Sequence, residues 1–203
     1  MKIGIAGGTF DPIHTAHAYL MEECRHLLQL DHLMIIPTGD PPHKVARVTA
    51  ARHRLAMTKL ALSEYDLEVS DLEVNDPEVS YTYRTLQKLK AAHPEDDLYF
   101  IMGSDSLIKF LSWRKPDLIL QLAALVCFDR PNYRTDEVDQ VSKEIRAMGG
   151  TVIRIDSLEL DISSTDIRQR VAEGNPHRSF LHPAVYDYIH KHGLYQEKAE
   201  QDF

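Results

Sequence analysis

Apolar positions along this chain follow two alternating rhythms. Short continuous runs, Lys2 to Ala6 (KIGIA), His32 to Pro37 (HLMIIP), Leu98 to Met102 (LYFIM), Ala124 to Phe128 and Thr151 to Ile155, predict buried strands. Between them, apolar residues three and four apart predict helices over Ala16 to Leu30, about Ala50 to Ser63, and Thr82 to Ala92 ahead of Pro94. Further helices are expected over Leu118 to Leu122, over Asp136 to Met148 closed by Gly149 and Gly150, and over His182 to His192 with Gly193 as its C-terminal cap. Leu67 to Val74 (LEVSDLEV) alternates with period two and predicts one more strand. This succession predicts an α/β fold, a mostly parallel, doubly wound sheet with helices on both faces. Ligands are then expected at the carboxyl ends of strands, where the strand order reverses.

Length favours one domain, expected over residues 1–195, with 196–203 as a disordered tail. The hydrophobic share of 43% and the charged share of 27% fit an ordinary folded protein and exclude disordered or fibrous classes. No apolar run approaches the roughly 20 residues of a membrane helix, and the N-terminus reads as a strand rather than a leader, so no membrane partner and a cytoplasmic location are expected. A net charge of −8 argues against coating a nucleic acid, which calls for a basic stripe. It leaves room for small anions held by a few cations and backbone N–H groups. Cys24 and Cys127 have no CxxC partner and receive no function.

The loop from Gly7 to His17 (GGTFDPIHTAH) follows the first strand directly. Two glycines let backbone approach an anion, and His14 and His17, three apart, share a face if a helix has begun by His14. A tight turn with two surface histidines is the plainer alternative, against which the whole string weighs. Zinc is disfavoured because HxxH lacks the i, i+4 spacing and has no third ligand nearby. Glycines at Gly4, Gly7 and Gly8 do not make a GxGxxG dinucleotide fingerprint. A second string, Ile162 to Arg168 (ISSTDIR), follows the last strand. Ser163 and Asp166 suit a capped helix start, and the same N–H groups, hydroxyls and first-turn arginine suit a phosphate.

The first string resembles the GGTFDPxHxGH signature of the nucleotidyltransferase family that includes nicotinate-mononucleotide and pantetheine-phosphate adenylyltransferases and several cytidylyltransferases, with Ala16 where the family usually has glycine. The second resembles its ISSTxIR motif. The resemblance spans about Lys2 to Tyr195 and implies a Rossmann-like nucleotidyltransferase domain. By that resemblance Gly7, Gly8, Thr9, Phe10 and Asp11 cradle the nucleotide. His14 and His17 meet the transferring phosphate, and Ser163, Ser164, Thr165 and Arg168 hold the ATP phosphates. Pro41, Pro42, His43 and Lys44 resemble the PPHK segment of nicotinate-mononucleotide adenylyltransferases, which gives Lys44 a charge-neutralising role. Gly103 and Asp105 resemble a GAD segment near the ATP ribose, with Ser104 for alanine, and Arg130 with Pro131 an RP pair at the nucleotide.

On the acceptor side, Ser80, Tyr81 and Thr82 resemble an SYT segment and Trp113 a tryptophan that stacks on the nicotinate ring, the alternative being a core aromatic. Arg84 and Arg114 depart from that pattern, standing where aspartate and tyrosine are common. The implied reaction takes ATP and nicotinate mononucleotide to the dinucleotide and pyrophosphate, with Mg²⁺ carried mainly by ATP oxygens and no metal held by the chain. His14 and the PPHK segment separate this reading from a pantetheine-phosphate adenylyltransferase, which usually has threonine at that position. A cytidylyltransferase, a silent nucleotide sensor and a nicotinamide-dependent oxidoreductase are the other rivals. The sequence fixes no oligomeric state and admits a homo-oligomer.

Overall fold

The computed structural model describes residues 1–39, 48–129, 135–158 and 160–196. Lys44 and Arg130, with Pro41, Pro42, His43 and Pro131, lie outside the described residues, as does most of the expected tail. Among the described residues, β1 (Lys2–Gly8), β2 (His32–Pro37), β3 (Glu68–Val69), β4 (Asp97–Gly103), β5 (Ala124–Asp129) and β6 (Val152–Asp156) form one sheet. Its order is β3-β2-β1-β4-β5-β6 and every pairing is parallel. The helices are α1 (Thr15–Leu28), α2 (Ala51–Ala61), α3 (Thr82–Ala92), α4 (Ser104–Ile108), α5 (Pro116–Leu122), α6 (Thr135–Ala147), α7 (Ser164–Ala172) and α8 (Pro183–Lys191).

Continuous apolar runs are required because successive strand residues enter different cores. Ile5, Phe100 and Leu125 face one side with Leu86 of α3, Ile119 of α5 and Ile145 of α6. Ala6, Ile101 and Val126 face the other with Met21 of α1, Met57 of α2, Ile167 of α7 and Val185 of α8. A sheet covered on both faces needs apolar residues at odd and even positions alike.

Two predicted boundaries change. β1 runs on through both glycines, since Gly7 pairs with Ile36 and Gly8 with Pro37. The strand expected over Leu67 to Val74 shrinks to Glu68–Val69, paired only with Met34 and Ile35 at the sheet edge. Beyond it the backbone turns, Asn75 N–H donating to the Asp71 carbonyl at 3.0 Å. An edge strand has one neighbour to hold it, and here the turn lets Glu73 leave the ladder and bury its carboxyl against Thr85 of α3. Alternation alone carries no information about that exchange.

Strand β1 sits between β2 and β4, and the chain leaves β1 toward one face and β4 toward the other. The gap between these departures is the reversal point where open α/β sheets hold ligands.

Candidate active site

Two cavities meet over the carboxyl end of β1. One, of about 460 Å³, is lined by the loop from Gly7 to Asp11, by His17, Gly103, Ser164 and Arg168, and by apolar Leu20, Met21 and Phe128. The other, of about 750 Å³, is lined by Thr38, Glu73, Tyr81, Thr82, Phe100, Trp113 and Arg114. Gly7, Gly8 and Thr9 belong to both walls.

The loop after β1 is compact for local reasons. Phe10 adopts φ 48° and turns its ring back over Gly8, where a Cβ would come within 2.8 Å of the ring. Glycine is the residue that permits this approach. His14 precedes α1 as its N-cap, and its backbone N–H donates to His17 Nδ1 at 3.3 Å. That contact orients the His17 ring relative to the start of α1. The two rings stack with centroids 3.7 Å apart, His14 buried and His17 on the cavity wall. The shared face expected from the HxxH spacing is therefore present, with His17 in front and His14 behind it.

The two terminal motifs are joined directly. Ser164 Oγ donates to the Pro12 carbonyl at 2.9 Å, and the Arg168 guanidinium donates to the Asp11 carbonyl at 2.7 Å and to Thr165 Oγ1 at 3.3 Å. Ser163 caps α7, its Oγ accepting from Asp166 N–H at 3.1 Å, as the capping pattern predicts. Ser164 and Arg168 reach the first cavity, whereas Ser163, Thr165 and Asp105 do not line it. Asp105 is exposed in the first turn of α4, which Gly103 precedes as N-cap.

Asp11 is buried, and both its carboxylate oxygens are committed to protein, one accepting from Tyr195 OH at 2.6 Å and the other from Thr49 N–H at 3.1 Å. Burial beside the Asp11 carboxylate pushes the Tyr195 phenol far above its ordinary value, so it remains a donor. Tyr195→Phe leaves a buried carboxylate oxygen short of a partner, an expected loss of about 1–3 kcal/mol. In a chain of this size that lowers the thermal midpoint by roughly 2–4 °C per kcal/mol. An unchanged melting curve would show that the link is immaterial.

In the second cavity, Trp113 is half-buried, held edge-on by Phe100 at 6.1 Å and tilted on Phe110 at 5.6 Å, with part of its surface on the wall. It is thus both a core aromatic and a cavity aromatic, so the two readings of it coexist. Thr82 opens α3, placing the helix N-terminus at the cavity. Of the two departures from the pattern, Arg84 pairs with Glu78 and does not line the cavity. Arg114 does, stacking 5.0 Å over the Tyr81 ring and donating to its hydroxyl at 3.2 Å. Glu73 is buried at the same wall, accepting from Thr85 Oγ1 at 2.6 Å, and burial pushes its carboxyl above the usual range.

Several of these residues escape sequence reasoning. Tyr195 and Glu73 carry no motif. Arg54 does leave a signal, a charge at the apolar-periodic position of α2 shared with Met57, Thr58 and Ala61. Cys24 and Cys127 are both buried away from the site, and burial pushes the Cys24 thiol up to about 12. No described helix is long and apolar enough to cross a membrane.

Similarity to known proteins agrees with this geometry. A family model described as cytidylyltransferase-like matches residues 5–170. A relative from Thermoanaerobacter sp. (strain X514), named "Probable nicotinate-nucleotide adenylyltransferase", is 39% identical over 98% of this chain and 97% of its own. One of the same name from Roseiflexus sp. (strain RS-1) is 44% identical over 96% of this chain and 98% of its own. Among solved structures, Plasmodium falciparum nicotinic acid mononucleotide adenylyltransferase complexed with NaAD superposes with a TM-score of 0.80 at 25% identity, covering 96% of this chain and 97% of that one. On these matches the chain belongs to the cytidylyltransferase-like family and, within it, to the nicotinate-nucleotide adenylyltransferases.

Proposed function

We propose that this chain transfers the adenylyl group of ATP to the phosphate of nicotinate mononucleotide, releasing pyrophosphate and forming nicotinate adenine dinucleotide for NAD biosynthesis. One observation carries the reading: two cavities of different chemistry share the Gly7-Gly8-Thr9 wall, so two bound substrates would meet there. The first cavity takes ATP, with apolar side chains at one end and His17, Ser164 and Arg168 at the other. The second takes the acceptor, its pyridine ring against Trp113 and its carboxylate at the N-terminus of α3. The relatives' names and the NaAD complex of the Plasmodium protein support the same pair of substrates.

The acceptor phosphate is already an ionised nucleophile, so no general base is required, and rate comes from alignment and charge neutralisation. It attacks the α-phosphorus, the bond to the bridging oxygen breaks, and pyrophosphate leaves with the electron pair. His17 would donate to the transferring phosphate, with His14 holding it from behind. Arg168 and Lys44 would offset charge on the leaving group, and Ser164 would face the triphosphate, while Ser163 and Thr165, assigned there by resemblance, would hold the helix start and Arg168 in place. Mg²⁺ would be carried by ATP oxygens and water, supplying further charge neutralisation. Asp105 and Arg130 are assigned to the nucleotide by resemblance to the family's segments. Residues 1–195 are taken as the functional unit and the cytoplasm as its location.

Pyrophosphate release with ATP against nicotinate mononucleotide, nicotinamide mononucleotide and phosphopantetheine tests the reaction, and CTP in place of ATP tests the donor. The acid is expected to exceed the amide in kcat/KM by at least tenfold, about 1.4 kcal/mol, because an amide NH₂ would face donors at Thr82 and the start of α3. Arg114 on the same wall adds positive field in the same direction. Trp113→Ala lowers use of both acceptors, whereas Thr82→Ala narrows the ratio between them. Equal kcat/KM for acid and amide in the unaltered protein would remove the specificity claim and leave the transfer reaction standing.

A further inference from the structure

Arg54 is 1% exposed, on the face of α2 that packs into the sheet. A guanidinium has five N–H donors, and here each meets an acceptor. Nε donates to the Thr49 carbonyl at 2.8 Å, one terminal nitrogen to the Thr9 carbonyl at 2.7 Å and Thr38 Oγ1 at 3.3 Å, and the other to the Thr38 and Gly39 carbonyls at 2.6 and 2.9 Å. Among the described residues no carboxylate pairs with it directly, although Asp11 and Glu73 stabilise its charge at longer range. Burying a cation without an ion-pair partner is costly, and an apolar side chain fills a core more cheaply. What the cation obtains instead is a rigid planar fork that fixes several backbone carbonyls at once.

Those carbonyls belong to three separate segments: the loop after β1, the end of β2, and the residues before α2. Thr9 is on the wall common to both cavities, while Thr38 lines the acceptor side alone. The link continues past Gly39, whose N–H donates to Ser80 Oγ at 3.3 Å, next to the start of α3. Gly39 also lies hard against the 70–80 segment, since a Cβ there would come within 2.0 Å of the Glu73 carbonyl oxygen. A single side chain therefore ties the wall common to both cavities to the end of β2 and, through Gly39, to the segment before α3.

We propose that Arg54 is a positioning residue for adenylyl transfer: its buried guanidinium locks Thr9 to Thr38 and Gly39, and so fixes the in-line alignment of the acceptor phosphate with the ATP α-phosphate. The inference rests on the adenylyltransferase reading. Its distinguishing consequence is a split between binding and turnover. Each substrate keeps its own contacts when the lock loosens, but the pair loses its mutual geometry, and a misplacement of about 1 Å costs on the order of 100-fold in rate.

Arg54→Lys keeps the charge with three donors and no fork, and Arg54→Gln keeps polarity without charge. Both are to be compared with the unaltered protein in thermal melts, in calorimetric titration with a non-hydrolysable ATP analogue alone and with nicotinate mononucleotide alone, and in single-turnover dinucleotide formation. The expected result is a folded variant whose separate affinities stay within about threefold while turnover falls about 100-fold, Arg54→Lys less affected than Arg54→Gln. Unchanged turnover in a folded variant overturns the proposal. So does a fall in both affinities that accounts for the lost turnover, or failure of both variants to fold, because each makes Arg54 a structural residue only. Inactivity of the unaltered protein with these substrates would instead defeat the reaction assignment, a result separate from any of these.

Discussion

His17→Ala is expected to lower kcat by about 100-fold or more while ATP affinity changes far less, because the lost donor acts chiefly on charge that develops in the transition state. The structure supplies the reason for this ring. His14 N–H donates to Nδ1, and the stacked His14 ring limits rotation. A donor held in this way needs little reorganisation at the moment of reaction. His14→Ala should also lower kcat, through loss of the ring that backs His17. Pyrophosphate release at saturating substrates measures both variants, and near wild-type kcat in either removes that histidine from the mechanism.

Arg168→Ala is expected to reduce kcat/KM for ATP by about 10- to 100-fold, the equivalent of losing a charge-assisted hydrogen bond of roughly 1.5–3 kcal/mol. Arg168→Lys should lose less but not recover fully. The guanidinium reaches the Asp11 carbonyl and Thr165 together, a two-pronged contact that an ammonium on a flexible stem does not reproduce. This arginine ties the terminal motifs together, and in the proposed reaction it also faces the triphosphate. A thermal melt run beside the kinetics separates the two roles: lost ATP use with an unchanged melt assigns the larger share to the ligand. Lys44→Ala is expected to impair turnover as well, by removing a charge from the leaving group. Full activity in both alanine variants would mean that the triphosphate is held by other groups.

The acceptor preference and the Arg54 lock concern the same wall from two sides. In the proposed reaction Arg114 and the N-terminus of α3 bear on which acceptor binds, whereas Arg54 bears on where it lies relative to ATP. Acid-to-amide ratios in Arg54 variants should consequently stay near the ratio of the unaltered protein even as turnover falls.

How far all this is visible without a structure depends on the range of the interaction involved. Strands β2, β4 and β5 and helices α1, α3 and α8 are readable within a few residues, because burial on one or both faces writes a local period into the chain. The Gly7 to His17 and Ile162 to Arg168 strings are readable too, since phosphate handling needs glycines, a helix start and fixed donors close together in sequence. The cap at Ser163 is local in the same sense. The end of β3 is not, for it is decided by Glu73 meeting Thr85 twelve residues on.

The sequence by itself thus determined the alternating α/β architecture, the Gly7 to His17 and Ile162 to Arg168 strings and the family they resemble, all of them features encoded by neighbours along the chain. Only the tertiary structure decided which members of those strings face a cavity. It put His17 in front of His14, gave the Asp11 carboxylate to Tyr195 and Thr49, turned Arg84 outward to Glu78 and Arg114 inward onto the wall of the second cavity. It also placed Arg54 between Thr9 and Gly39, residues whose separation from it along the chain conceals the contact. The physical reason is common to all of these: a side chain's direction depends on what the sheet brings across from it, and strand order brings together residues more than 150 positions apart, as Arg168 and Asp11 are.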